Sequence, residues 1–309
     1  MIDDFVNKII HGDATQSLRK LPDKSVNLIC IDPPYNIGKD EWDKLGFIKK
    51  GYGGFSEATV IDTHYYDWME EIFIELSRVL KDNGSFFMFH NNFRILAELD
   101  KRIQQSSNFL FKNLIIWNKR FENSSKKGFL DGFIVRGGMN SFNKMCEYIV
   151  FYTFDNAYKL KQRREELGVK QTTISKEILS KTGKMTGWYS NIETGKNYPT
   201  HETIKPITKH LGLTHEDLVP KFYNQKTHHC VWNYDLDSKK LGHLTPKPVK
   251  LIENIILHTT DPNDIVLDCF GGSGTTALAS RNLDRKFILI EKEEKYCDLS
   301  HQRLSQKGV

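Results

Sequence analysis

The sequence predicts an α/β protein: a mostly parallel sheet in circularly permuted order, with a small helical domain inserted. Three observations point to it. Strand-like apolar runs alternate with amphipathic helical segments along most of the 309 residues. A strand, glycine loop, helix, strand and acid follow one another as in a nucleotide-type site, but at the carboxyl-terminal end of the chain. Between residues 157 and 217 the alternation stops and short charged helices succeed one another.

In order, Asn7 to Asp13 is a short strand ending in an acid, and Thr15 to Leu21 a short helix. Val26 to Ile31 reads as a buried strand running into Asp32-Pro33-Pro34-Tyr35. Each proline lacks an N–H and fixes φ, so the strand must stop there. It presents a carboxylate, unpaired carbonyls and an aromatic at its carboxyl edge, where open α/β sheets bind ligands. Those are the parts needed to hold a flat ring bearing an amino group. Residues 38–66, rich in glycine and aromatics (Trp42, Phe47, Tyr52, Phe55, Tyr65, Tyr66), read equally as a loop closing over that ring or as packing. Tyr66 to Leu80 is amphipathic, with Met69, Ile72, Phe73, Leu76 and Leu80 on one face. Asp82-Asn83-Gly84 is expected to turn the chain into a strand over Ser85–Phe89. A helix over Phe93–Gln105 follows, then strands over Leu114–Trp117 and Glu147–Tyr152.

The insertion is expected as four helices: Tyr158–Leu167, Thr172–Ser180, Lys184–Ile192 and Glu202–Leu211, the last closed by Gly212. Residues 157–217 carry eleven Lys/Arg against seven Asp/Glu, which suits a compact DNA-binding unit; the bland reading is a helical insertion that only packs on the core. The chain therefore divides into core residues 1–156, an insertion 157–227 and core residues 228–309. In the last part, Asp264–Asp268 is a strand, Cys269 to Gly274 a glycine turn, Thr275–Ala279 the start of a helix, and Lys286–Ile290 a strand ending in Glu291. The turn is not G-x-G-x-x-G and no Walker lysine follows, which favours an adenosine-containing cofactor other than a dinucleotide or NTP.

Composition narrows the class. Net charge is +5. Residues 119–145 concentrate Lys119, Arg120, Lys126, Lys127, Arg136 and Lys144 against Glu122 and Asp131, which reads equally as a phosphate-contacting loop or a solvated one. No run of eighteen apolar residues and no signal-like start exist, so a cytoplasmic protein without a membrane span is expected. Five scattered cysteines without a Cys-x-x-Cys pair fit a reducing compartment. His228-His229-Cys230 lacks a second ligand pair, so no metal is expected.

On these motifs the chain resembles the β-group amino-methylating DNA methyltransferases, whose methyl donor is S-adenosylmethionine. Asp32-Pro33-Pro34-Tyr35-Asn36 is similar to the family's catalytic motif. Asp268 to Thr276 is similar to its methionine-binding loop, and His243-Leu244-Thr245-Pro246-Lys247-Pro248 to its cofactor-clamping segment. Catalytic motif first and cofactor motif last is the β-group order. The chain departs from the pattern at Leu244, Pro246 and Cys269, where Pro, Gln and Pro are usual. The resemblance implies a Rossmann-like methyltransferase sheet with Asp32, Pro33, Pro34 and Tyr35 in catalysis. For the cofactor it implies Asp13, His243, Thr245, Lys247, Asp268, Phe270, Gly271, Gly272, Ser273, Gly274, Thr275 and Glu291. Glu291 is assigned to the ribose hydroxyls, and the amides opening the helix at Thr275 to the methionine carboxylate. Asp13 reads as an adenine contact or as a helix cap, and Lys247 as a carboxylate partner or a surface residue. The leading Asp favours adenine N6, with cytosine N4 as runner-up, since enzymes of the latter type usually begin with Ser.

The insertion resembles the helix-turn-helix of phage-repressor-like regulators, on Leu160 to Glu165 and Glu193 to Pro199. It stands where β-group enzymes place target recognition. It would supply Lys184 and Lys196 as DNA contacts beside Lys119, Arg120, Lys126, Lys127 and Arg136, or else repress the protein's own promoter. The implied partner is double-stranded DNA in a restriction-modification setting, with a nuclease encoded elsewhere; dimers are common in the group. The rival class is a DNA-binding regulator with a residual enzyme core.

Overall fold

The computed structural model describes residues 1–35, 48–50, 56–58, 63–124, 145–223, 229–236 and 246–306. The strands are β1 (Lys8–His11), β2 (Val26–Ile31), β3 (Ile48–Lys50), β4 (Ser56–Ala58), β5 (Leu80–His90), β6 (Phe109–Asn118), β7 (Cys146–Phe154), β8 (Val231–Asn233), β9 (Ile265–Asp268) and β10 (Lys286–Glu291). The helices are α1 (Ala14–Leu18), α2 (Thr63–Val79), α3 (Phe93–Ser106), α4 (Ala157–Glu166), α5 (Gln171–Ser175), α6 (Trp188–Glu193), α7 (Ile204–Leu211), α8 (His215–Leu218), α9 (Val249–Thr259), α10 (Thr275–Asn282) and α11 (Glu294–Ser305).

Eight strands form one sheet in the order β1-β10-β9-β2-β5-β7-β6-β8, while β3 and β4 make a separate ribbon. The permuted order expected from sequence is observed: β9 and β10, from the end of the chain, lie between β1 and β2. The sheet is mixed, because β7 runs antiparallel to both β5 and β6. Strand β8 adds a parallel edge beside β6.

Burial on both faces explains why β2 is apolar but for Asn27, whose side chain accepts from the Ile265 amide at 3.1 Å. Successive side chains of a strand point to opposite faces. Ile29 and Ile31 join a core with α2 and α3, whereas Leu28 and Cys30 join one with α9. Tyr65 and Tyr66 are buried with the first group, which decides for packing at those two positions. Trp42, Phe47, Tyr52 and Phe55 lie outside the described residues.

Two local expectations are corrected. Asp82-Asn83-Gly84 does not end an element; it lies inside β5, where the register against β2 shifts between Val26–Leu80 and Leu28–Ser85. The second and third helices of the insertion are shorter than the sequence suggests. From Ser180 to Lys184 the chain closes a tight loop, with the Ser180 amide on the Lys184 carbonyl at 2.9 Å and the Lys184 amide on Ser180 Oγ at 3.1 Å. Serine side chains that bond nearby amides compete with helix in this way.

The helical unit has its own core of Leu160, Ile174, Tyr189, Ile192, Ile207, Leu211 and Leu218. It meets the sheet at the ends of strands remote from Asp32. Asn156 Nδ2 donates to the Asp82 carbonyl at 2.7 Å, Lys159 pairs with Asp82 at 2.5 Å, and Lys112 Nζ reaches Tyr198 Oη at 2.7 Å. The chain rejoins the core at Lys221, whose amide donates to the Asn83 carbonyl at 2.9 Å.

Candidate active site

The carboxyl ends of β1, β2, β9 and β10 surround one cavity of about 240 Å³. Its lining brings together Asp13, Asp32 to Tyr35, Lys247, Asp268 to Ser273, Thr275 and Glu291. Segments from both ends of the sequence meet here because parallel strands deliver all their carboxyl ends to one edge.

Asp32 leaves β2 half-buried, and both its oxygens are engaged. Tyr35 Oη donates to Oδ1 at 2.5 Å, and the Lys247 ammonium donates to Oδ2. Lys247 is buried, lying between prolines just before α9, and also contacts Glu147 at 3.5 Å. Glu147, at the start of β7, accepts from Tyr35 Oη at 3.3 Å and is ion-paired with Lys119. Two carboxylates and two ammoniums therefore alternate through a low-dielectric site with Tyr35 bridging the acids. Burial disfavours the Glu147 charge, yet Lys247 and Lys119 overcome it and hold the carboxyl at about 2. Burial opposes the Lys247 charge too, but Asp32 and Glu147 raise its pKa above the ordinary lysine value. Burial, reinforced by the two acids, pushes the Tyr35 phenol well up, so it stays a donor.

The loop carrying Asp32 is braced by Tyr65, whose hydroxyl donates to the Pro34 carbonyl at 2.8 Å. The Tyr35 ring lies 4.7 Å from His90 and 5.4 Å from the Lys247 ammonium. Tyr35 also lines the cavity.

On the other side, the glycine loop is shaped by contact with β10 and α11. A Cβ on Gly271 would come within 2.4 Å of Leu289. Gly274 sits at φ 74°, and a Cβ there would meet Ser300 at 2.7 Å. Arg303 Nη1 ties the loop down through the Ser273 carbonyl at 2.7 Å and Thr275 Oγ1 at 3.0 Å. Glu291 receives the amides of Gly272 at 2.7 Å and Glu293 at 2.8 Å, one on each oxygen. Asp268 takes the Phe270 amide at 3.0 Å and the Thr276 hydroxyl at 2.6 Å. Burial nevertheless pushes its carboxyl up to about 7, against those two bonds and with help from Asp32 and Glu291. The Phe270 ring meets Trp68 edge-on at 5.7 Å.

Some expectations change. Asp13 caps α1, accepting from the Gln16 amide at 3.0 Å, while also lining the cavity. Lys247 is neither on the surface nor free, being committed to Asp32 and Glu147. Lys119, expected at DNA phosphate, is drawn into the site by Glu147 and lies 4.7 Å over the Trp117 ring. Arg120 is exposed. Lys184 and Lys196 are exposed on the helical unit and do not line the cavity. His243, Thr245, Lys126, Lys127 and Arg136 lie outside the described residues. Sequence reasoning missed Glu147 as a site residue; a lone acid opening an otherwise apolar strand was the available signal. Among the described residues, no helix is long and apolar enough to cross a membrane.

Comparison with known proteins agrees with this layout. A family model described as DNA methylase (N6_N4_Mtase) matches residues 26–302. The type II methyltransferase M1.MboII of Moraxella bovis is 28% identical over 309 residues, covering 98% of each chain. The DNA adenine methyltransferase YhdJ of Escherichia coli K12 is 29% identical over 300 residues, 96% of this chain and 82% of that one. In fold, the cytosine-N4-specific PvuII DNA methyltransferase matches with a TM-score of 0.59 at 17% identity, over 98% of this chain and 87% of the other. The M1.HpyAVI–SAM complex matches with a TM-score of 0.53 at 20% identity, over 97% and 99%. With the family match running from β2 into α11, the chain belongs to the DNA methylase family.

Proposed function

We propose that this DNA methyltransferase moves a methyl group from S-adenosylmethionine to the N6 amine of an adenine turned out of duplex DNA. One observation carries the reading: the Asp-Pro-Pro-Tyr loop and the glycine loop with Glu291 line the same cavity. The donor set suits the cofactor. Glu291 keeps lone pairs for ribose hydroxyls, Asp13 can accept from an adenine amine, and the start of α10 favours a carboxylate. S-adenosylmethionine, when bound, supplies an electrophilic methyl group on a sulfonium.

The chain's own residues do the rest. An exocyclic amine is a poor nucleophile because its lone pair is conjugated into the ring. Asp32 accepts one N–H and the Pro33 carbonyl the other, which localises the lone pair toward the methyl carbon. With the cofactor bound, the new N–C bond would replace the methyl–sulfur bond, and Asp32 would pass the surplus amine proton to solvent. In-line geometry demands that both loops be fixed, which Tyr65 and Arg303 achieve. The base must leave the duplex to reach this depth. Tyr35, which lines the cavity, offers a ring for the base to stack on.

The leading Asp32 supports adenine, and the names of the type II relatives support a restriction-modification role. The test is to incubate the protein with DNA and labelled cofactor and analyse the nucleosides by mass spectrometry. N6-methyladenine is expected. N4-methylcytosine would overturn the choice of base, and no methylated nucleoside on varied DNA would favour a regulator with an idle core.

A further inference from the structure

The helical unit lies at the wrong end of the sheet to hold the duplex whose base enters the cavity. Strand β7 carries the chain from Glu147 in the site to Asp155 at the unit, roughly 25 Å at about 3.3 Å per residue. The bonds that dock the unit fall on Asp82, Lys112 and Asn156, at or near the strand ends remote from Asp32. A straight duplex lying across the carboxyl edge passes over the opposite end of the molecule from those contacts.

The unit nonetheless has a face suited to polyanion. From α5 through α6 to Tyr198, the side chains of Lys170, Lys176, Lys181, Lys184 and Lys196 are exposed. The segment contains no aspartate, and its two glutamates are neutralised within the unit. Glu177 meets Lys209 and His210, each at 2.8 Å, and Glu193 meets Arg164 at 2.6 Å. The lysines stand in the segments that flank and join two successive short helices sharing a private core, and no acid of those segments is left unpaired. That arrangement is the footprint of a duplex-binding module.

We propose that the helical unit binds duplex DNA on its α5–α6 face, as a second site separate from the one that delivers the target base; the first site rests on the methyltransferase reading above. The protein then engages two stretches of DNA, one chemically and one only by contact.

The test uses the full chain with Lys170→Glu, Lys176→Glu and Lys181→Glu combined, and the same three positions changed to Gln. Anisotropy of a labelled random-sequence duplex is read across a salt series, beside methyl transfer to plasmid DNA and cofactor binding. Expected for the Glu variant is about a tenfold or greater loss of duplex affinity, with the salt slope shallower by about 2 to 3. The Gln variant should lose less affinity by the same slope change. In both, kcat and KM for methyl transfer should stay within about twofold, a change of less than about half a kcal/mol. Unchanged duplex affinity overturns the proposal. So does a rise in KM that parallels the loss of binding, since one duplex then spans both sites. If wild type transfers no methyl group, the methyltransferase reading fails while the anisotropy still decides whether this face binds DNA.

Discussion

Asp32 is held between a phenol and an ammonium, so its chemistry is inseparable from Glu147. Asp32→Ala should abolish methyl transfer while cofactor binding, measured by fluorescence titration, survives; joint loss of both would make Asp32 structural. Glu147 gives Lys247 a second carboxylate at 3.5 Å. Without it, the full charge of Lys247 falls on Asp32 and weakens that oxygen as an acceptor for the amine. Glu147→Gln should therefore slow single-turnover transfer by about tenfold or more, with cofactor affinity within about threefold. An unchanged rate would make the pair a structural tie only. Glu147 and Asp268 also set opposite limits on stability with pH. The Glu147 carboxyl is lowered from 4.5 to about 2, so its contribution is complete above pH 4.5 and is lost as pH falls through 2. Asp268 is raised from 3.8 to about 7, so its contribution is complete below 3.8 and is lost as pH rises through 7. Melting temperature against pH should show both limbs, with Glu147→Gln flattening the acid limb and Asp268→Asn the neutral-to-alkaline one. Of these roles, Asp32 was legible in sequence because two prolines mark a strand end. Glu147 was not, because Tyr35 and Lys247 lie about a hundred residues away along the chain in either direction.

Among elements, the glycine loop between β9 and α10 is the most constrained. Gly271→Ala puts a methyl against Leu289 on β10, and overpacking of this kind costs about 1–3 kcal/mol. Urea unfolding should show that loss, and Gly271→Ala should cost less on a Leu289→Ala background than in the wild type. An equal cost on both backgrounds would mean that the loop fails for another reason. The loop and its flanking strands were readable from their pattern. The lengths of α5 and α6 were not, because local serine bonding in the 180–184 loop overrides the helical pattern. The strand β8 was also missed, since a three-residue edge strand has too little pattern to identify and exists through its pairing with β6.

At the scale of the molecule, two cores of different origin are joined at a few bonds. Leu160 is buried in the helical unit's core and belongs to none of the clusters packed on the sheet. Leu160→Ala should cost about 2–5 kcal/mol, expressed in the helical unit. Calorimetry should resolve an early transition that S-adenosylmethionine does not move, while the main transition rises with cofactor. A single transition that shifts as one would show the unit and the sheet to be one cooperative body.

The sequence alone determined the fold class, the permuted order, the two loops that meet at the cavity and the existence of a helical insertion. These follow from periodicity, prolines and glycines, which act on the chain locally. Only the tertiary structure placed Lys119 and Lys247 in one ion network with Asp32 and Glu147, and the insertion at the far end of the sheet. Both depend on which strand ends share an edge, and that is fixed by the reversal of β7 and the pairing of strands distant in sequence.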